Sequence, residues 1–193
     1  MGTSRLEAFS DGVLAIIITI MVLELKVPHE SDLGALRPLL PVFLTYVLSF
    51  VYLGIYWNNH HHLFTAARGV NSGIMWANLH LLFWLSLLPF VTGWMGENHF
   101  ASVPTACYGG VLFMAAIAYI ILQSLIVKLH GRDSKLASTL GRDAKGKLSA
   151  LLYAIAVGLS FIRPWIAGCI YIFVALTWFI PDRRLERSMH EAG

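Results

Sequence analysis

The first apolar stretch of the chain contains a carboxylate, Asp11, about one-third of the way along it. As a helix, residues 6–25 would be about 30 Å long, which is the thickness of the hydrocarbon core of a bilayer. A carboxylate at that depth is costly and usually has both a partner and a function. Polar side chains at comparable depth in the first three apolar runs are the candidate partners: Arg5, Ser10, His60 and His80.

These residues predict a polar network that links three helices, and its chemistry has more than one interpretation. The network could fix the rotation of the first helix, or it could only hold a helical bundle together. Alternatively, Asp11 and the membrane histidines could relay protons in a proton-coupled transporter or a proton leak, because histidine titrates near neutral pH. The residues alone leave these alternatives open.

The run His60-His61-His62 raises the question of a metal site. Adjacent residues on a helix point about 100° apart, so the three imidazoles cannot all bind one ion. No cysteine or carboxylate cluster lies beside them at a ligand spacing, and we therefore expect no metal. A membrane enzyme with metal at this run is an alternative, but no nucleophile elbow, zinc-protease helix or phosphate-binding glycine loop is present, so we expect no enzymatic activity.

An aliphatic stripe follows Asp11 along the same segment. At about 100° per residue, residues separated by steps of one, three and four fall on one face of the helix, and Asp11 lies about 140° from Ile16 around the helix axis. Such stripes usually face lipid or a protein core, but around an oligomer axis they form a constriction that gates by dewetting. The stripe consists of Gly12, Ile16, Thr19, Ile20 and Leu23. Glu24 follows the stripe, and its negative charge could concentrate cations.

The composition identifies the class of protein that must position these residues. The 193 residues are 57% hydrophobic and only 13% charged, whereas soluble domains carry about 25% charge. We predict one all-α transmembrane domain over residues 1–193, without a cleaved signal peptide and without a re-entrant pore loop or TVGYG filter. Its six predicted spans cover residues 6–26, 36–59, 73–95, 103–128, 148–162 and 164–180.

The cations are distributed unevenly between the two sides of the predicted bundle. With six spans, both termini lie on one side, and most lysines and arginines fall there. That side holds Arg68, Lys128, Arg132, Lys135, Arg142, Lys145, Lys147, Arg183, Arg184 and Arg187, against Lys26, Arg37 and Arg163 on the other. The positive-inside rule therefore predicts a multi-pass protein of the cell membrane with cytoplasmic termini.

The stretch Arg5-Leu-Glu-Ala-Phe9-Ser10-Asp11 resembles the RxxxFSD signature of the transmembrane protein 175 family, the endosomal and lysosomal potassium channels and their prokaryotic relatives. Six spans in under 200 residues is similar to the single-repeat prokaryotic members, which assemble as tetramers. The resemblance implies a homotetramer in a lipid bilayer, an all-helical bundle and a central pore lined by the first helix. It also implies potassium as the permeant ion among monovalent cations, no cofactor and no nucleic-acid partner.

The resemblance also implies roles for individual residues. The hydrophobic constriction falls on Ile16, the next aliphatic rings fall on Ile20 and Leu23, and the threonine tied to selectivity falls on Thr19. Ala15 stands where some members have a serine, which removes a possible ring of hydroxyls. The signature residues are expected to pack against the second and third spans rather than face the pore: Arg5, Phe9, Ser10 and Asp11, with His60 and His80 opposite them. A structural or partner-binding membrane subunit without ion flux is a further alternative.

Overall fold

A computed structural model of the chain describes residues 3–67, 69–130 and 144–179. Within these residues every regular element is a helix. The elements are α1 (Ser4–Leu23), a 3₁₀ helix (Leu33–Leu39), α2 (Leu40–Thr65), α3 (Ser72–Ser86), α4 (Leu88–Glu97), α5 (Ser102–His130), α6 (Ala144–Ser160) and α7 (Pro164–Phe179).

Four helical segments in the described part of the chain are long and apolar enough to cross a membrane: Ser4–Leu23, Leu33–Thr65, Ser72–Glu97 and Ser102–Leu129. They correspond to the first four predicted spans. The last two predicted spans form α6 and α7, which have 17 and 16 residues. A typical span needs about 20 residues, so the count of six spans stays a prediction.

The charge asymmetry used to predict orientation depends largely on residues outside the described ranges. These are Arg68, Arg132, Lys135, Arg142, Arg183, Arg184 and Arg187. Orientation therefore also stays a prediction.

Three prolines set where the second and third spans change direction. Pro38 lies in the 3₁₀ helix and Pro41 lies in the first turn of α2, where an amide lacks an intrahelical partner anyway. Pro89 follows a helix break at Leu87, which divides the third span into α3 and α4. A proline ring in a helix interior collides with the carbonyl four residues earlier, and this agrees with the kink that Pro89 predicts.

Helix α2 continues to Thr65 and does not end at residue 59 as predicted. The histidine run looked like a polar end, but Leu63 and Phe64 lie beyond it and both are fully buried. One more turn of helix places these two side chains in the core. The apolar area buried by a leucine and a phenylalanine outweighs the preference of the histidines for water.

Helix α1 lies against α2, α3 and α4, while α5 joins α3 and α4 to α6 and α7. Hydroxyl groups connect these helices inside the bundle. The Tyr52 hydroxyl donates to the Tyr171 carbonyl oxygen at 2.6 Å, and the Tyr171 hydroxyl donates to the Thr105 carbonyl oxygen at 3.1 Å. Ser49 and Thr92 share a buried hydrogen bond at 2.7 Å. In an apolar core such hydroxyls need a partner, and the interhelical bonds supply it.

Helices α5 and α7 approach closely at Gly109. A Cβ at this position would collide with the Tyr171 hydroxyl and press on Val157, whereas a Cβ at the neighbouring Gly110 would meet open space. Small residues of this kind let two helix backbones come together. Of these two glycines, only Gly109 is therefore needed for the close packing of α5.

Candidate functional site

Helix α1 has one face buried in the subunit and another that no described residue covers. The buried face contains Ser10, Leu14, Ile17 and Met21, each between 0% and 3% exposed. On the uncovered face, Ile16 is 60% exposed, Ile20 is 43% exposed and Leu23 is 76% exposed. The aliphatic stripe seen in the sequence therefore points away from the rest of its own subunit.

Thr19 supplies the one hydroxyl of this uncovered face. Its Oγ1 donates to the Ala15 carbonyl oxygen, one turn earlier, at 2.8 Å. A hydroxyl that uses its proton in this way keeps oxygen lone pairs that can accept from water or contact a cation. Between Gly12 and Leu23 the sequence has no formal charge. Between these two residues the face is thus neutral and mostly aliphatic, and it carries one side-chain hydroxyl oxygen.

A buried chain of hydrogen bonds holds the other face of α1. His60 Nε2 lies 2.8 Å from Asn78 Oδ1, Asn78 Nδ2 donates to Ser10 Oγ at 2.9 Å, and Ser10 Oγ donates to the Leu6 carbonyl oxygen at 2.9 Å. In this orientation of the Asn78 amide Oδ1 is the acceptor, which assigns the His60 proton to Nε2. The chain runs from α2 through α3 to α1, and its three side chains are fully buried.

Two further contacts join α1 to α2 beside this chain. Trp57 Nε1 donates to Asp11 Oδ1 at 3.1 Å, and His61 Nδ1 lies 2.7 Å from Glu7 Oε1. The rings of Trp57 and His61 stack with centroids 6.3 Å apart. The two acids are one turn apart on α1 and their partners are one turn apart on α2. The contacts therefore fix the rotation of α1 at two successive levels.

The structure does not bring all the predicted network residues together. His80 accepts from Trp84 Nε1 at 2.9 Å within its own helix. Arg5 and Phe9 are exposed in the subunit, so their expected packing against α2 and α3 stays a prediction. The reason for their exposure is helix geometry: they precede Ile16 by eleven and seven residues, close to whole turns, so they share its face.

The three consecutive histidines have different surroundings. His60 points into the bundle toward Asn78, while His61 points to Glu7 at the surface. His62 contacts the ring of His61, with centroids 5.7 Å apart. In the described ranges no three histidine, cysteine or acidic side chains are grouped so that they could hold a metal ion.

The C-terminal end of α1 carries an ion pair to the end of α4. Lys26 Nζ lies 2.6 Å from Glu97 Oε1, and both side chains are exposed. Glu97 raises the pKa of the Lys26 ammonium above its ordinary value through the hydrogen bond and its charge, and Glu24 adds to this. Lys26 is therefore charged throughout the physiological pH range, and it lies close to Glu24, the residue predicted to concentrate cations.

Several of these residues were missed by reasoning from the sequence. Asn78 is a polar residue in an apolar run, and an amide there needs partners just as Asp11 does. Glu7 and Asp11 are four residues apart, as are Trp57 and His61. Equal spacing on two neighbouring helices is a pattern that could have predicted the paired contacts.

Comparisons with known proteins agree with this architecture. A family model described as "Endosomal/lysosomal potassium channel TMEM175" matches residues 5–89, from the signature to the start of α4. A protein named as a potassium channel in Chryseobacterium sp. (strain P1-3) is 56% identical over 191 residues, covering 99% of this chain and 100% of that protein. The endosomal/lysosomal proton channel TMEM175 of Gallus gallus is 29% identical over 152 residues, covering 69% of this chain but 30% of that protein.

A solved structure has the same fold. The crystal structure of a lysosomal potassium-selective channel TMEM175 homolog from Chamaesiphon minutus superposes with a TM-score of 0.78 at 29% identity, and the alignment covers 92% of this chain and 96% of that one. The family predicted from the signature is therefore confirmed, and so is the prediction of an ion channel rather than an enzyme. The chain is a multi-pass membrane protein that belongs to the TMEM175 family of ion channels.

Proposed function

We propose that the chain is the subunit of a potassium-permeable cation channel whose pore is lined by α1. The observation that carries the proposal is that α1 has one face anchored in the subunit and another that is exposed and, between Gly12 and Leu23, neutral and mostly aliphatic. A stripe of this kind faces either lipid or other copies of itself. The close relative named as a potassium channel, which aligns over nearly the whole chain, favours the second arrangement.

In the proposed homotetramer, four α1 helices surround a central axis. Four Ile16 side chains form the narrowest ring, followed by rings of Ile20 and Leu23. A dry aliphatic ring strips a cation of water at a large cost, so conduction requires the ring to widen or fill with water. Four Thr19 oxygens lie one turn from Ile16 and can replace part of the hydration shell of a potassium ion. Selectivity then comes from side chains of a spanning helix.

The contacts on the buried face have a defined task in this mechanism. A rotation of α1 by one residue, about 100°, would move Ile16 off the axis and bring a different side chain into the pore. The chain through Asn78 and the two contacts of Asp11 and Glu7 resist such rotation near one end of the helix. We infer that they position the pore face without contacting the ion.

Proton conduction is a second candidate, favoured by the names of the vertebrate relatives, which are proton channels. Two contacts favour potassium over protons as the permeant ion. Asp11 is bound by the indole N–H of Trp57, a group that donates and cannot accept a proton. The chain from His60 ends on the Leu6 carbonyl oxygen and not on a carboxylate. These side-chain contacts therefore do not join Asp11 to His60.

Orientation and location complete the proposal. We place the protein in the cell membrane with both termini in the cytoplasm. With six spans, most lysines and arginines fall on the same side as the termini, and the positive-inside rule assigns that side to the cytoplasm. The end of α1 that carries Glu24 and Lys26 is then the outer mouth of the pore.

The test is ion flux through the purified protein in liposomes. With opposed potassium and proton gradients, the account predicts a reversal potential that follows potassium, with sodium and caesium compared in parallel. A reversal potential that follows protons would establish the second candidate. A folded oligomer without flux of either ion would refute both candidates and leave a structural membrane subunit.

A further inference from the structure

Three charges gather where α1 leaves the bundle. Helix α1 ends at Leu23, Glu24 follows it, and Lys26 pairs at 2.6 Å with Glu97, the last residue of α4. All three residues line one groove of about 500 Å³, open to solvent, together with residues at the start of α2. The two carboxylates and the ammonium therefore share one space at the end of the proposed pore helix.

Stability does not account for this ion pair. Its side chains are 75% and 52% exposed, and exposed pairs contribute only about 0–1 kcal/mol because water and salt screen them. The electrostatic consequence is larger. Without Lys26, the cluster would carry two negative charges, and with it the cluster carries one. Charges of one sign at a channel entrance raise the local concentration of the opposite ion.

We infer that Lys26 is a conductance-setting residue of the outer mouth, where its ammonium, held by Glu97 beside Glu24, lowers the local concentration of potassium. The inference rests on the proposed function, because it requires α1 to line the pore. In a tetramer the cluster occurs four times around the axis, so one substitution per chain changes the mouth by four charges. Lys26 acts by its charge and position and does not contact the permeating ion.

The experiment compares potassium currents in low and high salt. The Debye length is about 30 Å at 10 mM salt and about 3 Å at 1 M, so a charge effect must vanish as salt rises. Lys26→Gln should increase inward potassium current at least about twofold in 10 mM potassium chloride and by little in 1 M. Lys26→Arg keeps the charge and should match the wild type. Arg37→Gln removes one exposed cation of the adjacent 3₁₀ helix, outside this groove, and as the matched control it should change the low-salt current less than Lys26→Gln does.

Substitutions at Glu97 distinguish an effect of the net charge of the cluster from an effect of the ion pair as a mechanical link between α1 and α4. Glu97→Gln leaves Lys26 charged and removes a carboxylate, so it should lower the low-salt current. The double variant Lys26→Gln/Glu97→Gln also lacks the ion pair but restores the native net charge of the cluster, so its current should return toward the wild-type value. If the double variant instead departs as far as Lys26→Gln, the pair acts as a mechanical tether and the inference is overturned.

The outcomes distinguish this inference from the proposed function. Absence of potassium current in the wild type would refute the proposed function. Wild-type current together with a Lys26→Gln variant that is unchanged at low salt, or changed equally at 10 mM and 1 M, would refute the role of Lys26 alone.

Discussion

Substitution of Asn78 by leucine should destabilise the bundle out of proportion to the small change in shape. Asn78 is fully buried and joins two other buried side chains, since its Nδ2 donates to Ser10 Oγ and its Oδ1 accepts from His60 Nε2. Leucine fills a similar volume but can make neither bond. Among the described residues His60 Nδ1 already has no hydrogen-bond partner, so the imidazole would be left without any hydrogen bond to them.

The expected loss follows from the two broken bonds. Interhelical hydrogen bonds within membranes contribute about 0.6 kcal/mol on average and up to about 1.7 kcal/mol each. Two bonds give about 1–3 kcal/mol, and the unpaired imidazole places the value in the upper half of that range. The loss is measured as a change in the free energy of unfolding of the purified protein in detergent.

Asn59 provides the control. Its side-chain amide is only half-buried and donates to the Ile55 carbonyl oxygen within its own helix, at 2.8 Å. Asn59→Leu breaks no side-chain bond between helices and should cost less than half as much as Asn78→Leu. Equal losses for the two variants would show that the buried chain has no special energetic role.

A rescue variant tests the physical reasoning directly. In Ser10→Ala/Asn78→Leu/His60→Phe, every member of the chain becomes apolar, and the ring at position 60 can keep its contact with Phe64, now at 4.5 Å between centroids. Replacing all partners by apolar groups leaves none of them unpaired. The triple variant should therefore be more stable than Asn78→Leu alone. A triple variant that is no more stable would refute the argument from unpaired groups.

Three further predictions follow from the packing and from α1. Gly109→Ala should destabilise the protein by about 1–3 kcal/mol through its clash with Tyr171. Gly110→Ala should be neutral or stabilising by up to about 1 kcal/mol. Equal melting temperatures for the two variants would contradict this prediction. Asp11→Ala should lower thermal stability or oligomer yield and leave the potassium-to-sodium permeability ratio unchanged, and a stable oligomer with altered selectivity would contradict that. Ile16→Asn should raise conductance and relax selectivity, and unchanged currents would remove Ile16 from the pore.

Much of the fold follows from local patterns in the sequence. Long apolar runs predict the first four spans, and Pro89 predicts the break near Leu87. The end of α2 was misplaced because the histidine run resembles a solvated terminus, and only the three-dimensional core reveals that Leu63 and Phe64 lie inside it. Tertiary burial can thus override the local polarity of a sequence.

The sequence predicts which residues of α1 share a face, but it does not predict which residues of other helices contact them. The helical period places Asp11 away from the Ile16 stripe, and the structure has the same separation of faces. The same period puts Phe9 on the Ile16 face, which the resemblance alone did not indicate. The partner of Lys26, however, is 71 residues away in the sequence. Pairings between distant segments depend on how helices cross, and no spacing rule within one helix contains that information.

The central claim is that the uncovered face of α1 meets water in a pore. Ile16→Cys can test it in a background from which the two exposed cysteines, Cys107 and Cys169, have been removed. Phe173→Cys on α7 is the control, because Phe173 is 56% exposed and Ile16 is 60% exposed in the subunit.

The measurement is the potassium current before and after a charged, water-soluble thiol reagent. The reagent should modify Ile16→Cys and block most of its current, while the current of Phe173→Cys should be unaffected. If Ile16→Cys conducts normally and resists the reagent as Phe173→Cys does, the stripe faces lipid and the pore lies elsewhere.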